Sequence, residues 1–431
     1  MADLIIKGGT VLTMSDKTPE KCDVVVENGL ITFIKKDPHE EADKIIDAKG
    51  CFVMPGLVNA HTHLAMTLFR GFADDLPYRE WIQKIQAAEM KLTPADVRKG
   101  AYLGALEMIK SGTTSCADMY IHMDEVASVV EKTGIRAALG YGMIEGLNED
   151  PTTKLRIREK FNRFWSGTAN GRITTMYAPH SASTCSKGFL ERVRDLARKE
   201  GARIHIHMLE TEEELDLMKS NYNMCSVNLL DTINMLGPET LAAHCIWLSD
   251  HDLEVLKNKN VNVVHCPTSN IALGAGVARI PEMLEKGINV ALGTDSAASG
   301  GSLDMWKEMR TAQMLHKIKN PRAMHAPDVL GMATINGAKA LGINAGILKA
   351  GCFADIIIVD LKKPQFVSAD PVTALVNGAS GCDVRTTIVN GKVLMEDHVL
   401  MELDEEKIIE DARKIIRKIW SGKPILQKMS Q

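Results

Sequence analysis

The sequence predicts an α/β protein: a (β/α)8 barrel joined to a small β-sandwich that both ends of the chain build together. Three observations predict it. Apolar strands alternate with helical stretches from about residue 52 to 345, short β-type pieces occupy both ends, and ionisable residues recur where the central strands stop. Continuous apolar strands alternating with helices imply a parallel sheet covered on both faces. Eight such units in about 290 residues fit a closed barrel, whose usual size is near 250.

Composition sets the outer bounds. The 431 residues are 45% hydrophobic and hold 51 Lys+Arg against 55 Asp+Glu, for a formal net charge of −4. A chain of this kind can bury a large core without staples. It lacks the basic domain or stripe of a nucleic-acid binder. Met (23) outnumbers Trp (5), Tyr (6) and Phe (9) together, which suggests an adaptable, aliphatic core. The nine cysteines are scattered with no C-x-x-C pair, the pattern of reduced thiols. The first residues, Met1 to Lys7, have no basic region, and their apolar run is too short for a signal peptide. No stretch approaches the roughly 18 apolar residues of a membrane span. The expectation is a soluble, cytoplasmic protein.

In chain order, residues 1–51 read as strands (Val24-Val25-Val26, Ile31-Thr32-Phe33-Ile34) broken by Glu27-Asn28-Gly29. Residues 353–400 read the same way, with Asn390-Gly391 between apolar runs as a strong hairpin signal. These two segments are expected to form the sandwich, with the barrel spanning 52–352 and a helix and tail filling 401–431. Barrel strands should end near His63, Asp118, Met143, His180, His207, His244, His265 and Asp295. Thr93-Pro94-Ala95-Asp96 and Ser249-Asp250-His251-Asp252 read as helix starts, each a cap with an acid three residues on. Gly140-Tyr141-Gly142 and Gly274-Ala275-Gly276 lack the third glycine of a nucleotide fingerprint. Asp404–Trp420 reads as an amphipathic helix with Ile408, Ala412, Ile415 and Ile419 on one stripe, packing on its own barrel or a sister subunit.

The chemistry lies in the histidines, because active sites of such barrels sit at the C-terminal ends of the strands. His61 and His63 are two apart on one strand and therefore share a face. His205 and His207 do likewise; His207 lies nearer the mouth, and His205 reads as a hydrogen-bonded interior residue. Asp295 ends the last strand. Three imidazoles and one carboxylate around an open position suit a catalytic zinc or iron ion, whereas no Cys quartet exists for a closed structural site.

The segments Pro55-Gly56-Leu57-Val58-Asn59-Ala60-His61-Thr62-His63, Tyr177-Ala178-Pro179-His180, His205-Ile206-His207-Met208-Leu209-Glu210, His265-Cys266-Pro267-Thr268-Ser269-Asn270 and Gly293-Thr294-Asp295-Ser296 resemble the amidohydrolase superfamily. Within it, the chain is most similar to the deaminases acting on 5′-methylthioadenosine, S-adenosylhomocysteine and 5′-deoxyadenosine. The resemblance implies metal ligands His61, His63, His207 and Asp295. It implies one zinc ion per subunit, with ferrous iron as the alternative; His180 stands where binuclear relatives carry a lysine. It also implies hydrolysis at C6 of the adenine ring by an activated water. Glu210 would carry the water's proton to N1, His244 would hold the attacking oxygen, and Asp295 would accept a proton. Glu89 would contact the ribose hydroxyls and His180 the purine, with Glu210 and Asp295 also touching substrate. The expected partner is a small adenine nucleoside, with neither nucleic acid nor membrane, in a homo-oligomer (tetramer or dimer).

The chain departs from the pattern at one place. Some relatives place arginines after the third strand to bind the homocysteine carboxylate; here Tyr141 stands at one such position, and Lys154, Arg156 and Arg158 are candidates for another. That departure favours smaller 5′-modified adenosines. Plainer readings stand beside these: Glu210 as the cap of the next helix, His244 as a hydrogen-bond donor to a ligand, His265 as a structural residue, and His122 and His316 as surface or helix residues. Guanine deamination, triazine hydrolysis and a metal-free assembly scaffold are the alternative functions.

Overall fold

A computed structural model describes residues 2–15, 18–36, 41–145, 150–368 and 370–421. Eight parallel strands follow one another around a ring: Leu57–Thr62, Thr113–Tyr120, Arg136–Met143, Ile173–Pro179, Arg203–Met208, Thr240–His244, Asn262–His265 and Asn289–Leu292. Every strand hydrogen-bonds to the next in sequence, the order that βαβ units impose. The ring closes between the last strand and the first. The Asp295 amide donates to the His61 carbonyl at 3.0 Å, and the Asn59 side chain bonds both the amide and the hydroxyl of Thr294. Closure needs a glycine: a Cβ on Gly293 would lie 2.8 Å from the backbone and Cβ of His61. One apolar cluster joins Val58, Ala60, Ala117, Ala138, Met176, Leu241, Val264 and Ala291 from seven strands, so it lies inside the ring. Ala338, Ala340 and Leu341 of the helix Ile335–Leu341 belong to the same cluster.

Both expected caps form. Thr93 and Ser249 each accept from the amide three residues on, and Asp96 and Asp252 bond back to the cap amides. This reciprocal arrangement satisfies two otherwise orphaned N–H groups at each helix start. The helix Glu405–Trp420 is capped by Asp404 and buries Ala412 and Ile415. Its Glu405 pairs with Lys110 and its Lys418 with Asp96, tying it to the barrel helix Pro94–Ser111. The tail beyond residue 421 lies outside the described residues. Among those that are described, no helix is long and apolar enough to cross a membrane.

A separate nine-stranded sheet is woven from the two ends of the chain. Strand Cys51–Pro55 lies parallel to Ala2–Val11 on one side and antiparallel to Ile356–Asp360 on the other. Its core holds Leu4, Ile6, Val24, Val26, Val53, Ile356, Ile358 and Ile388. Asn28-Gly29 and Asn390-Gly391 both take positive φ at each residue, the geometry of a two-residue hairpin turn. The two turns touch: a Cβ on Gly29 would meet the Asn390 carbonyl at 2.9 Å.

Sheet and barrel are clamped by one buried ion pair. Arg136, which opens the third barrel strand, donates to both carboxylate oxygens of Asp355 at 2.7 and 3.1 Å. Asp355 also accepts the Asn390 amide at 2.8 Å, and the guanidinium lies over the Phe353 ring. Removing one partner of such a pair strands a buried charge. Asp355→Ala should therefore lower the unfolding free energy by about 3–5 kcal/mol in urea titration; a loss below about 1 kcal/mol would show that the pair holds nothing together.

Candidate active site

The mouth of the barrel opens into a cleft of about 600 Å³. His63, His180, His207, Glu210, His244 and Asp295 line its floor, and Glu89, Tyr78 and Tyr120 line its wall. The chain reaches these positions by turning sharply at the strand ends. Leu209 (φ 48°), His244 (φ 71°), Cys245 (φ 49°) and Asp295 (φ 56°) all adopt left-handed backbone. Aspartate tolerates this region, but leucine, histidine and cysteine sit there at a cost of roughly 1–2 kcal/mol each.

The orientation of the three proposed histidine ligands follows from their outer nitrogens. Nδ1–H of His63 donates to the Met119 carbonyl, and that of His207 donates to the His180 carbonyl at 2.8 Å. A carbonyl can only accept, so both rings carry a proton on Nδ1 and turn Nε2 to the centre. Nδ1 of His61 lies 2.8 Å from Nε2 of His205, so the interior histidine supports a ligand rather than being one. Nε2 of His61 and of His63 approach Asp295 Oδ1 at 3.4 and 3.2 Å. The other Asp295 oxygen accepts from Ser269 at 2.5 Å and Ser299 at 3.2 Å.

Burial pushes His61 down to about 4 and holds His207 well below the usual imidazole range, each helped by neighbouring histidines, whereas at His63 burial is outweighed by the Asp295 carboxylate, which raises it to about 9. Neutral rings are what a cation needs. Ligating atoms of His61, His63 and His207 lie within 4.8 Å of one another, as do those of His61, His244 and Asp295. His61 Nε2 is fully buried without a hydrogen bond of acceptable geometry. A buried orphan nitrogen aimed at a carboxylate, amid imidazoles held by their far sides, fits a borderline divalent metal ion.

Glu210 lies just past the fifth strand. Burial raises its pKa above the usual carboxylate range, which His244 opposes, a direction that favours a proton-carrying role. It is not the cap of the next helix: Thr211 caps Glu212–Tyr222. His244 donates from Nδ1 to Asn270 at 2.9 Å and turns Nε2 toward Glu210 Oε1, 3.8 Å away. His180 is pushed to about 4 by burial, then by nearby histidines, and its Nδ1 meets the Thr184 hydroxyl. Glu89 closes the helix Tyr78–Glu89 and accepts from Tyr120 at 2.7 Å, so it faces the cleft instead of solvent. All eight residues singled out from the sequence thus gather at this mouth.

His316 lies on a helix, as expected, and is buried there, its ring tilted and 5.7 Å from that of the fully buried His265. His122 stands just before the helix Met123–Thr133, with no capping hydrogen bond from its side chain, and lines the cleft. Arg156 is exposed and does not line the cleft, whereas Lys154 and Arg158 do. The sequence reading did not assign Tyr78, Tyr120, Ser269 or Asn270. The last two belong to a motif it quoted, but side-chain partners from different strands carry no spacing signal.

The amidohydrolase family model matches residues 52–394. The chain is 55% identical to a 5′-deoxyadenosine deaminase of Methanosarcina mazei, over 96% of this chain and 98% of the relative. It is 43% identical to a 5-methylthioadenosine/S-adenosylhomocysteine deaminase of Pelotomaculum thermopropionicum, again over 96% and 98%. The crystal structure of an adenosine deaminase from Xanthomonas campestris with bound zinc superposes with a TM-score of 0.94 at 29% identity, covering 97% of this chain and 99% of that one.

Groups that orient a ligand typically tune metal affinity by about 10–100-fold. Ser269→Ala should weaken metal binding by about that factor in competition with a chromophoric chelator. Unchanged affinity would show that Ser299 alone orients Asp295.

Proposed function

This chain belongs to the amidohydrolase family, and from that premise we propose that it is a hydrolytic deaminase of 5′-modified adenosines, with 5′-deoxyadenosine the foremost candidate. Water replaces the exocyclic amine at C6 of the adenine ring, giving the corresponding inosine and ammonia. One observation carries this reading: a buried glutamate and histidine share the barrel mouth with the imidazole–carboxylate centre, under a helix that offers a second carboxylate.

His61, His63, His207 and Asp295 would hold one zinc ion, with ferrous iron as the alternative for the same donors. Such an ion supplies Lewis acidity, bringing the pKa of a bound water toward about 7. Everything else falls to the chain's own groups. Glu210 takes a proton from the attacking water and delivers it to N1, making C6 electrophilic. His244, fixed by Asn270, hydrogen-bonds the oxygen as it adds to C6. Asp295 takes the second proton, which leaves with ammonia. His180 meets the purine, and Glu89 accepts from the ribose hydroxyls. Burial raises the pKa of Glu89 while the Tyr120 hydroxyl opposes it, so the sugar is met by a carboxylate already oriented.

The wall beyond the ribose supports a small 5′ group. The Arg158 guanidinium lies flat on the Tyr141 ring and donates to the carbonyls of Gly142 and Lys154. Lys154 donates to the Ile144 carbonyl. These cations are engaged in shaping the wall, and the nearer of the two relatives reported above bears the 5′-deoxyadenosine name. Free cysteines throughout the chain support a reducing, cytoplasmic compartment.

The test is deaminase kinetics on 5′-deoxyadenosine, 5′-methylthioadenosine, S-adenosylhomocysteine and adenosine, followed by the ultraviolet shift from adenine to hypoxanthine. 5′-Deoxyadenosine should give the highest kcat/KM, and no shift with any of the four would overturn the reading. Glu210→Gln should lose at least about 100-fold in kcat. Chelation should abolish turnover, and zinc readdition should restore it at near one ion per chain.

A further inference from the structure

We propose that Tyr78 is a positioning residue for the deamination: its phenol pins one oxygen of Glu210, leaving the other to move the proton. The inference rests on the deaminase reading above and adds a residue to it. The Tyr78 hydroxyl donates to Glu210 Oε2 at 3.0 Å, while Glu210 Oε1 faces His244 Nε2. The terminal torsion of a glutamate is broad and roughly two-fold, so an untethered carboxylate would present either oxygen in a range of directions. A donor fixed on one oxygen removes that freedom, and the remaining oxygen points where the proton must travel.

The donor is itself fixed. Tyr78 opens the helix Tyr78–Glu89, where its ring lies beside that of Trp81. The Trp81 indole N–H donates to the carbonyl of Ala298, three residues after Asp295. At the far end of the same helix Glu89 accepts from Tyr120, which ends the second barrel strand. The helix is therefore tied across the mouth by phenol–carboxylate bonds at both ends, with donor and acceptor exchanged between them. One rigid element carries both the residue proposed to hold the ribose and the residue that aims the proton carrier. Engaging the sugar at one end steadies the aim at the other. Burial and the Glu210 carboxylate hold the Tyr78 phenol well above its ordinary pKa, so it stays a donor and exchanges no proton in the cycle.

Tyr78→Phe deletes only the hydroxyl and keeps the ring against Trp81. A hydrogen bond to a charged partner predicts a fall in kcat of about 10–100-fold, with KM for 5′-deoxyadenosine inside about threefold and metal content unchanged. Glu89→Gln should show the opposite signature, raising KM more than it lowers kcat. On a Glu210→Gln background the Tyr78→Phe change should cost little more, because no proton carrier is left to aim. A merely structural role would instead add its loss to that of Glu210→Gln and lower the melting temperature. Tyr78→Phe with wild-type kcat, or with its loss carried by KM, would overturn the proposal while leaving the deaminase reading intact. Failure of the wild-type enzyme on every adenosine would overturn both.

Discussion

The structure depends on one constraint: six imidazoles (His61, His63, His180, His205, His207 and His244) and a carboxylate must share a water-poor pocket without filling it with charge. A charged histidine there faces both desolvation and its neighbours unless a carboxylate pairs with it. The chain resolves this by holding His61, His180, His205 and His207 neutral through burial, by setting Asp295 against His63, and by giving Nδ1 of each metal-facing ring a partner on its outer side. With Nδ1 taken, Nε2 of His61 and of His63 faces Asp295. The pocket is therefore preorganised for a cation by hydrogen bonds that lie behind it.

That preorganisation requires a closed barrel. Two of the outer partners, Met119 and His180, sit at the ends of neighbouring strands, and the proposed ligands come from the first, fifth and eighth strands. If the eighth strand did not meet the first, Asp295 would not face His61. The closure at Gly293, Thr294 and Asn59 is thus part of the site. The sheet from the chain ends steadies the opposite end of the ring, where Arg136 and Asp355 meet. The strained backbone at Leu209, His244 and Cys245 is tolerable because strands on both sides are fully paired.

Much of this was legible in the sequence because it was periodic or local. Strand–helix alternation predicts the ring, the two Asn-Gly pairs predict their turns, and Thr93/Asp96 and Ser249/Asp252 predict their caps. His61 and His63 could be paired because a strand alternates its faces. What was not legible lies between distant elements. Tyr78 reaches Glu210 across 132 residues, and Ser269 reaches Asp295 across 26. Neither contact leaves a spacing in the chain. Glu89 shows the same limit: it reads as a solvated helix charge by pattern, and it turns inward because Tyr120 lies beneath it. His316 reads as a surface or helix residue, and the pattern does not tell which; it lies on the buried side of the helix Met305–Lys317.

The wall near Tyr141 shows how a cleft can be lined with cations and still favour an uncharged group. Arg158 stacks its guanidinium on an aromatic face, an attraction that strengthens when both are withdrawn from water. Its two terminal nitrogens donate to the carbonyls of Lys154 and Gly142, and the Lys154 ammonium donates to that of Ile144. A ligand carboxylate that drew a donor away from one of those carbonyls would leave that oxygen without its partner, which costs about 1–3 kcal/mol. An alkyl 5′ group breaks none of them and covers the exposed part of the Tyr141 ring. On the proposed reading these cations serve the wall instead of an acid, and affinity would come from the base and the ribose, which His180, Glu210 and Glu89 would meet.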